Sequence, residues 1–254
     1  MSGLEEFSPE ERKLRIELAA AYRLSALNGW DDLIYNHISV RIPGPQHEFL
    51  INPFGLRYDE VTASSLVKID LEGNVLHPGS SNGRINKAGF VIHSTIHAQR
   101  EDAQCVLHNH NNEIVAVSAM KCGFLPLSQN AMYLGKITYH DYEGLVLQDS
   151  ERETITRDFA LDSKVLMLRN HGAITIGKTV AEAYIAMNFL TKACAIQVMA
   201  MSGATDTSHL ILPSEQVQKL TFKETQSFNQ EGVGELEFQA LLRKLDKIDP
   251  SDKQ

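Results

Sequence analysis

The pattern of hydrophobic and polar positions predicts helices and short strands in irregular order along the chain. Apolar residues three and four positions apart predict helices over 87–100 and 179–201, besides one at the N-terminus. Strict alternation over 37–42 and the apolar segment 48–52, separated by the turn residues Pro43-Gly44-Pro45, predict a hairpin. This mixture favours an α/β protein with a mixed or antiparallel sheet covered by helices over a strictly parallel fold.

A change of composition near residue 205 divides the chain into two predicted regions. Residues 1–205 carry the strands and most of the helices and are predicted to form one domain. Residues 206–254 are predicted to be a helical extension packed on the same domain, with an amphipathic helix over 235–245. The segment 61–65 is predicted to begin a further short helix.

Composition and charge narrow the class of protein. The chain has 254 residues, of which 43% are hydrophobic and 22% charged, as in ordinary soluble globular proteins. The formal net charge of -8, without basic clusters, argues against nucleic-acid and anionic-membrane partners. There is no secretory signal and no apolar run of about 18 residues, so a cytoplasmic location is expected. Cys105, Cys122 and Cys194 lie in apolar surroundings and are expected to be buried, reduced thiols.

Three histidines at predicted strand ends are the candidate chemistry. His108 and His110 follow a short apolar run, and residues two apart on a strand point to the same face. Cys105, at an odd offset from His108, is placed on the other face and is expected to be a core residue. His171 ends another apolar strand and precedes Gly172. Three such imidazoles suit a divalent metal with an open coordination position, although hydrogen-bonded histidines at a strand edge are the alternative.

Several sequence blocks resemble the class II aldolase/adducin family in order and spacing over about 10–200. These blocks are YNHISVR (35–41), FLINPFG (49–55), NKAGFVIH (86–93), HNH (108–110) and LRNHG (168–172). The adducin head-domain branch is the most similar. That similarity is carried by VTASSLVK (61–68), AMKCG (119–123), YHDY (139–142) and ELEFQAL (235–241).

The resemblance implies a three-layer α/β/α sandwich around a mostly antiparallel central sheet, and a homo-oligomer, commonly a tetramer. In the family's enzymes three histidines bind a divalent metal, and they match His108, His110 and His171. Zinc is the first expectation, with manganese or iron(II) as alternatives. The metal is expected to hold a small carbonyl or carboxylate substrate by two oxygens and to stabilise the enediolate left by carbon–carbon cleavage.

The chain also departs from the aldolase branch at two motifs. Aldolases carry Ser-Ser-Glu ahead of the helix that contains the equivalent of His93, and the aligned residues here are Lys87, Ala88 and Gly89. The acid/base glutamate is therefore absent. The family's phosphate loop, Gly-Asn-x-Ser, is aligned with 36–39, where His37 replaces the asparagine. These changes argue against a sugar-phosphate substrate.

Several residues are candidates to replace the missing acid/base. Glu113, His37 and Lys87 are the predicted catalytic residues, and His93 and His140 are further candidates. Each has a structural alternative. Glu113 suits the first turn of a helix, where it would face the helix dipole; His93 suits a hydrogen-bonded core position, and Lys87 a solvated one.

Three functions are compatible with these residues. The preferred one is a metal-dependent lyase that acts on a small oxo or hydroxy acid by retro-aldol cleavage or decarboxylation, because the histidine ligands are retained. The second is a non-catalytic, adducin-head-like module for self-association or partner binding. An actin-type partner is expected only for this second function, and the end of the sequence soon after the head-like region weakens that expectation. The third is a non-haem iron oxygenase.

Overall fold

A central sheet organises the computed structural model, which describes residues 3–144, 150–204, 206–228 and 231–254. The strands in these residues are β1 (His37–Arg41), β2 (Phe49–Ile51), β3 (Val67–Ile69), β4 (Val75–His77), β5 (Cys105–Asn109), β6 (Ile137–His140), β7 (Val165–Leu168) and β8 (Gly172–Gly177). Their order in the sheet is β4-β3-β2-β1-β5-β8-β7-β6. Neighbouring strands are antiparallel, apart from the parallel pair β6 and β7. The expectation of a mostly antiparallel sheet is therefore confirmed.

Helices cover both faces of this sheet. They are α1 (Pro9–Leu27), α2 (Lys87–Gln99), α3 (Asn112–Ser118), α4 (Gln129–Met132), α5 (Ser150–Asp158), α6 (Val180–Met201), α7 (Glu215–Ser227) and α8 (Glu235–Ile248), with 3-10 turns at Tyr58–Glu60 and Pro250–Lys253. Side chains of α1, α6 and α8 share one buried cluster with Ile38 and Leu107 of the sheet. Side chains of α2 and α5 share another with Val106 and Leu166. Since these strand residues alternate between faces, the molecule is the expected three-layer α/β/α sandwich.

The two longest helices begin where the sequence predicts. The Ser8 hydroxyl accepts a hydrogen bond from the Glu11 backbone N–H at 3.1 Å, and Pro9 occupies the first helical position of α1. The Thr179 hydroxyl accepts from the Glu182 N–H at 3.1 Å at the start of α6. By length and composition alone α6 could cross a membrane. Core helices of soluble proteins meet the same criterion, and one side of α6 lies buried in the core.

The C-terminal residues pack against this sandwich. Phe238 and Leu245 of α8 are buried in the same cluster as α1 and α6. The Ala63 backbone N–H donates to the Asp252 carbonyl oxygen at 2.8 Å, which attaches the last turn to the core. Helix α7, in contrast, has no buried side chain. The division of the chain near residue 205 stays a prediction.

Two local expectations need correction, and one strand was not predicted. Residues 61–65 do not form a helix, because the Ser65 hydroxyl accepts from the Thr62 N–H at 2.9 Å and donates to the Thr62 carbonyl at 2.9 Å, which closes a turn. Strand β4, which the sequence analysis did not predict, pairs with β3. Cys105 and Cys194 are buried as expected, whereas Cys122 is exposed. Cys105 faces the α1 side of the sheet, as predicted.

Candidate metal centre

The three predicted metal ligands converge at one end of the central strands. The Nε2 atoms of His108 and His110 lie 2.7 Å apart, and those of His110 and His171 lie 2.9 Å apart. One ring nitrogen from each residue lies within 4.8 Å of the others. His108 is on β5, His110 follows it, and His171 lies in the turn between β7 and β8. The period of a strand and a turn at its end thus bring three imidazoles to one point.

Gly172 allows the turn that carries His171 to approach β5. A Cβ at this position would lie 2.3 Å from the Asn109 carbonyl oxygen and 3.2 Å from Cδ2 of His110. Asn170 adopts a left-handed conformation with φ of 57°, which asparagine tolerates better than most residues. The close approach therefore requires glycine at the residue after His171.

Two of the three rings are anchored through their other nitrogen. His108 Nδ1 donates to the Ala173 carbonyl oxygen at 3.1 Å, and His110 Nδ1 donates to the Asp32 carboxylate at 2.9 Å. A neutral imidazole with its proton on Nδ1 has a lone pair on Nε2. Two such lone pairs at 2.7 Å repel each other unless a cation or an added proton lies between them. Carbonyl and carboxylate partners of this kind are typical of metal-ligating histidines, so the residues present fit a metal ion.

Burial keeps His108 and His171 neutral, the state in which an imidazole nitrogen can bind a metal. It lowers the pKa of His108 well below its usual value, and His110 adds to the effect. It lowers the pKa of His171 to about 4. The His110 side chain remains 20% exposed. His108 and His171 are therefore neutral imidazoles, as metal ligation requires, and the centre opens to solvent on the His110 side.

Of the three predicted catalytic residues, the structure brings only His37 into described contact with the triad. His37 opens β1 directly opposite His108 on β5, and the two rings stack with centroids 4.9 Å apart. Burial, followed by the influence of His110, lowers the pKa of His37 to about 3. The strand register that pairs β1 with β5 thus places a neutral imidazole beside the centre.

The other two predicted catalytic residues lie elsewhere. Lys87 is the exposed first residue of α2. Glu113 lies in the first turn of α3, where Asn111 caps the helix. Its charge adds to the burial that raises the pKa of the Cys194 thiol on α6. In the described segments no hydrogen bond joins Lys87 or Glu113 to the triad, and their catalytic roles stay predictions.

The two further candidates have distinct surroundings. His140 Nδ1 donates to the Asp158 carboxylate at 2.8 Å. Tyr142, two residues after His140, has its ring centroid 6.2 Å from that of His171. His93 is fully buried, with Nε2 at 2.7 Å from His37 Nδ1 and Nδ1 at 2.5 Å from the Ser39 hydroxyl. His93 is therefore a hydrogen-bonded neighbour of His37.

Sequence reasoning missed three residues at this site. Ser39 and His97 extend the hydrogen bonds beyond His93, with Ser39 Oγ at 2.7 Å from His97 Nε2. The signal for both was present, because Ser39 shares a strand face with His37 and His97 follows His93 by one helical turn. Asp32 reaches His110 from the connection between α1 and β1, and no pattern in the sequence indicated it.

Residues 16–198 match the sequence profile described as the class II aldolase and adducin N-terminal domain. The chain belongs to this family. A Caulobacter vibrioides protein, named as a class 2 aldolase without a stated substrate, is 50% identical over 244 residues, which are 96% of this chain and 93% of that protein. Rat alpha-adducin is 46% identical over 246 residues. This match covers 94% of the chain but only 34% of the adducin, so the chain corresponds to about a third of that protein.

Solved structures of the family have the same architecture. An aldolase II superfamily protein from Pseudomonas syringae is 43% identical with a TM-score of 0.89, and the match covers 98% of both chains. An L-fuculose 1-phosphate aldolase from Glaciozyma antarctica PI12 is 28% identical with a TM-score of 0.83, covering 96% of this chain and 93% of that one. The resemblance predicted from the sequence blocks is thus confirmed for both the family and the fold.

Proposed function

We propose that the protein is a divalent-metal-dependent lyase that cleaves a carbon–carbon bond in a small oxo or hydroxy acid, by retro-aldol cleavage or decarboxylation. The observation that carries this proposal is the arrangement of His108, His110 and His171, whose Nε2 atoms converge on one point. Among the described residues this group contains three histidines and no fourth ligand, and an open three-histidine set is typical of catalytic rather than structural metal sites. The proposal includes a cytoplasmic homotetramer.

The metal would be held by the three Nε2 atoms and would act as a Lewis acid that polarises substrate oxygens. Zinc is the first choice for an all-imidazole set, and manganese or iron(II) would suit it too. The chain's own groups hold these rings in place. Asp32 and the Ala173 carbonyl fix the orientation of His110 and His108 before any ligand arrives. Such preorganisation lowers the cost of placing a substrate correctly.

Two contacts support a substrate other than a sugar phosphate. The Ser39 hydroxyl, aligned with the serine of the family's phosphate loop, lies buried between His93 and His97. At Gly89, aligned with the missing glutamate, a Cβ would lie 2.3 Å from the His37 ring. The hydrogen bonds of Ser39 to His93 and His97 occupy the hydroxyl that a phosphate would need. The second contact excludes a carboxylate side chain from position 89 as long as His37 is in place.

The test is metal analysis of the untagged protein followed by a substrate screen. We expect about one divalent ion per chain and metal-dependent release of carbon dioxide or an aldehyde from a 2-oxo or 2-hydroxy acid. His108→Ala should abolish both. A protein without bound metal would contradict the proposal, and turnover of L-fuculose 1-phosphate would contradict its substrate class. Oxygen uptake that depends on added iron(II) would instead indicate an oxygenase.

The second candidate is a non-catalytic module for self-association or partner binding, which the 46% identity to rat alpha-adducin favours. It predicts that His108→Ala leaves oligomeric state and partner binding unchanged. Light scattering of the wild type and of the variant measures this directly. Metal-dependent turnover of any screened acid would exclude the non-catalytic candidate.

A further inference from the structure

A continuous series of hydrogen bonds leads from the side of the metal centre into the protein interior. His37 Nδ1 lies 2.7 Å from His93 Nε2, and His93 Nδ1 lies 2.5 Å from Ser39 Oγ. Ser39 Oγ is 2.7 Å from His97 Nε2, and His97 Nδ1 is 2.9 Å from the Ala103 carbonyl oxygen. We call these four side chains, His37, His93, Ser39 and His97, the histidine relay. All four are buried, with exposed fractions of 3% or less.

The Ala103 carbonyl determines the direction of every bond in the relay. A carbonyl oxygen only accepts, so His97 Nδ1 is the donor. A neutral His97 then has an acceptor at Nε2, which receives the Ser39 hydroxyl proton. Ser39 has no second proton, and its oxygen must accept from His93 Nδ1. His93 Nε2 in turn accepts from His37 Nδ1, which leaves His37 Nε2 with a lone pair.

The relay is neutral, as this argument requires. Burial lowers the pKa of His93 well below its usual value and that of His97 to about 3. The nearby Arg41 guanidinium, which donates to the His97 carbonyl, lowers the pKa of His97 further. Throughout the described segments, no carboxylate is hydrogen-bonded to these three rings. The hydrogen bond from His97 to the Ala103 carbonyl raises the pKa of His97, but burial and Arg41 outweigh it.

Gly89 leaves the remaining nitrogen of His37 unobstructed. An ideal Cβ on Gly89 would lie 2.6 Å from His37 Nε2 and 2.3 Å from its Cδ2. Gly89 has an ordinary helical conformation in α2, so backbone strain does not explain the glycine. In the part of the chain that the structure describes, no hydrogen bond reaches His37 Nε2. The glycine thus preserves an acceptor that no other group uses.

We propose that His37 Nε2 is the hydrogen-bond acceptor for a substrate hydroxyl beside the metal centre, and that His93, Ser39 and His97 are positioning residues that fix its tautomer. The stacking of His37 on His108 places the ring that carries this acceptor next to the triad. Only the identity of the ligand, a small hydroxy acid, rests on the proposed function. The tautomer itself does not depend on it.

The tautomer can be measured without any enzymatic assay. Magic-angle-spinning NMR of ¹⁵N-histidine-labelled protein distinguishes protonated from unprotonated ring nitrogens, and loss of one signal pair in His37→Gln assigns His37. We expect a single population with Nδ1 protonated and Nε2 unprotonated. A protonated His37 Nε2 in the wild type would overturn the proposal, whether or not the protein binds metal or turns over any substrate.

Two variants test whether the relay sets this state. Ser39→Ala removes the link between His93 and His97, and we expect His37 to become a mixture of tautomers. The matched control, Ser118→Ala, removes another buried hydroxyl, which donates to the Val115 carbonyl at 2.7 Å, and should leave His37 unchanged. Gly89→Ala should displace the His37 ring and also end the single population. If Ser39→Ala keeps the wild-type tautomer in a folded protein, the positioning role is refuted.

A separate measurement tests whether His37 accepts a hydrogen bond from substrate. Glycolate carries the hydroxyl that a donor to His37 would need, and acetate lacks it. We expect glycolate, added to the zinc-treated protein, to shift the His37 Nε2 resonance, and acetate to leave it in place. No response to glycolate would overturn the assignment of His37 as an acceptor for substrate. The tautomer result would stand by itself, and metal analysis of the same sample would test the proposed function separately.

Discussion

The candidate metal centre (His108, His110 and His171) and the histidine relay contain three histidines each, yet the two groups use their ring nitrogens in different ways. In the metal centre, His108 and His110 anchor Nδ1 to the protein and direct Nε2 to a shared point. In the relay, His93 and His97 have both nitrogens engaged in bonds along one line. The first arrangement leaves lone pairs that face one another, and the second leaves none except at His37.

The difference follows from where each side chain lies on the sheet. The metal-centre histidines lie at the end of β5 and in the turn before β8, where a ring can reach solvent. The relay side chains lie buried between the sheet and α2, where the ring nitrogens of His93 and His97 are all hydrogen-bonded within the protein. A histidine pattern therefore supports a metal site more strongly when the second ring nitrogen has a carbonyl or carboxylate partner outside the group, as in His108 and His110.

The largest effect is expected from His108→Ala, which removes a ligand from the metal centre. Metal affinity should fall by more than the roughly 10- to 100-fold that loss of a supporting hydrogen bond causes. His97→Gln is the matched relay variant, and it should keep the metal. Elemental analysis and calorimetric titration of both variants measure the difference. Equal loss of metal in the two would mean that the groups do not act separately.

Gly172→Ala should disturb the metal centre through the backbone. Its Cβ would meet the Asn109 carbonyl oxygen at 2.3 Å, so β5 and β8 must move apart. We expect a loss of about 3 kcal/mol in the free energy of unfolding, at the upper end for overpacking, together with weaker metal binding. Gly203→Ala is the control, since no atom lies within 4 Å of a Cβ there and its cost is confined to the positive φ of 80°. It should lower stability less and leave metal affinity unchanged.

Asp32→Asn should weaken the metal centre without removing a ligand. The neutral amide of asparagine accepts the hydrogen bond from His110 Nδ1 more weakly than the carboxylate does. Metal affinity should therefore fall about 10- to 100-fold. Asp31→Asn makes the same charge change at the neighbouring exposed residue and should have no such effect. Competition with a chelator of known affinity provides the measurement. If both variants behave alike, the contribution of Asp32 is general electrostatics and not orientation of His110.

The smallest effect near neutral pH is expected from the relay, which should change the pH dependence of stability. The folded-state pKa of His97 is lowered to about 3 by burial, so between pH 6.5 and 3 the unfolded chain binds a proton that the folded chain does not. Stability should therefore fall as the pH falls through this window. Within it, His97→Gln should reduce the slope by up to about 1.4 kcal/mol per pH unit. Denaturant titrations across the window measure it. His209→Gln, at an exposed position, should leave the slope unchanged.

Much of the metal centre was predictable because strand periodicity is a local property. A spacing of two residues on a strand was enough to predict that His108 and His110 lie side by side. The glycine after an apolar strand indicated His171 as the third histidine. The relay was missed because it joins β1, α2 and the Ala103 carbonyl, and no local pattern reports which helix face packs on which strand. The helix expected at 61–65 was wrong for a related reason, since the Ser65 side chain replaces the backbone partner of a helix.

The contact between Gly89 and His37 also restricts the order in which mutations at these two positions can be tolerated. Any side chain at position 89 would overlap the imidazole, so a mutation there is harmful as long as His37 is present. A mutation that removes His37 leaves the Nε2 of His93 without its donor. A mutational path to a carboxylate at position 89 must therefore pass through loss of the imidazole first. The two positions form a pair in which the accessible substitutions at one depend on the residue already present at the other.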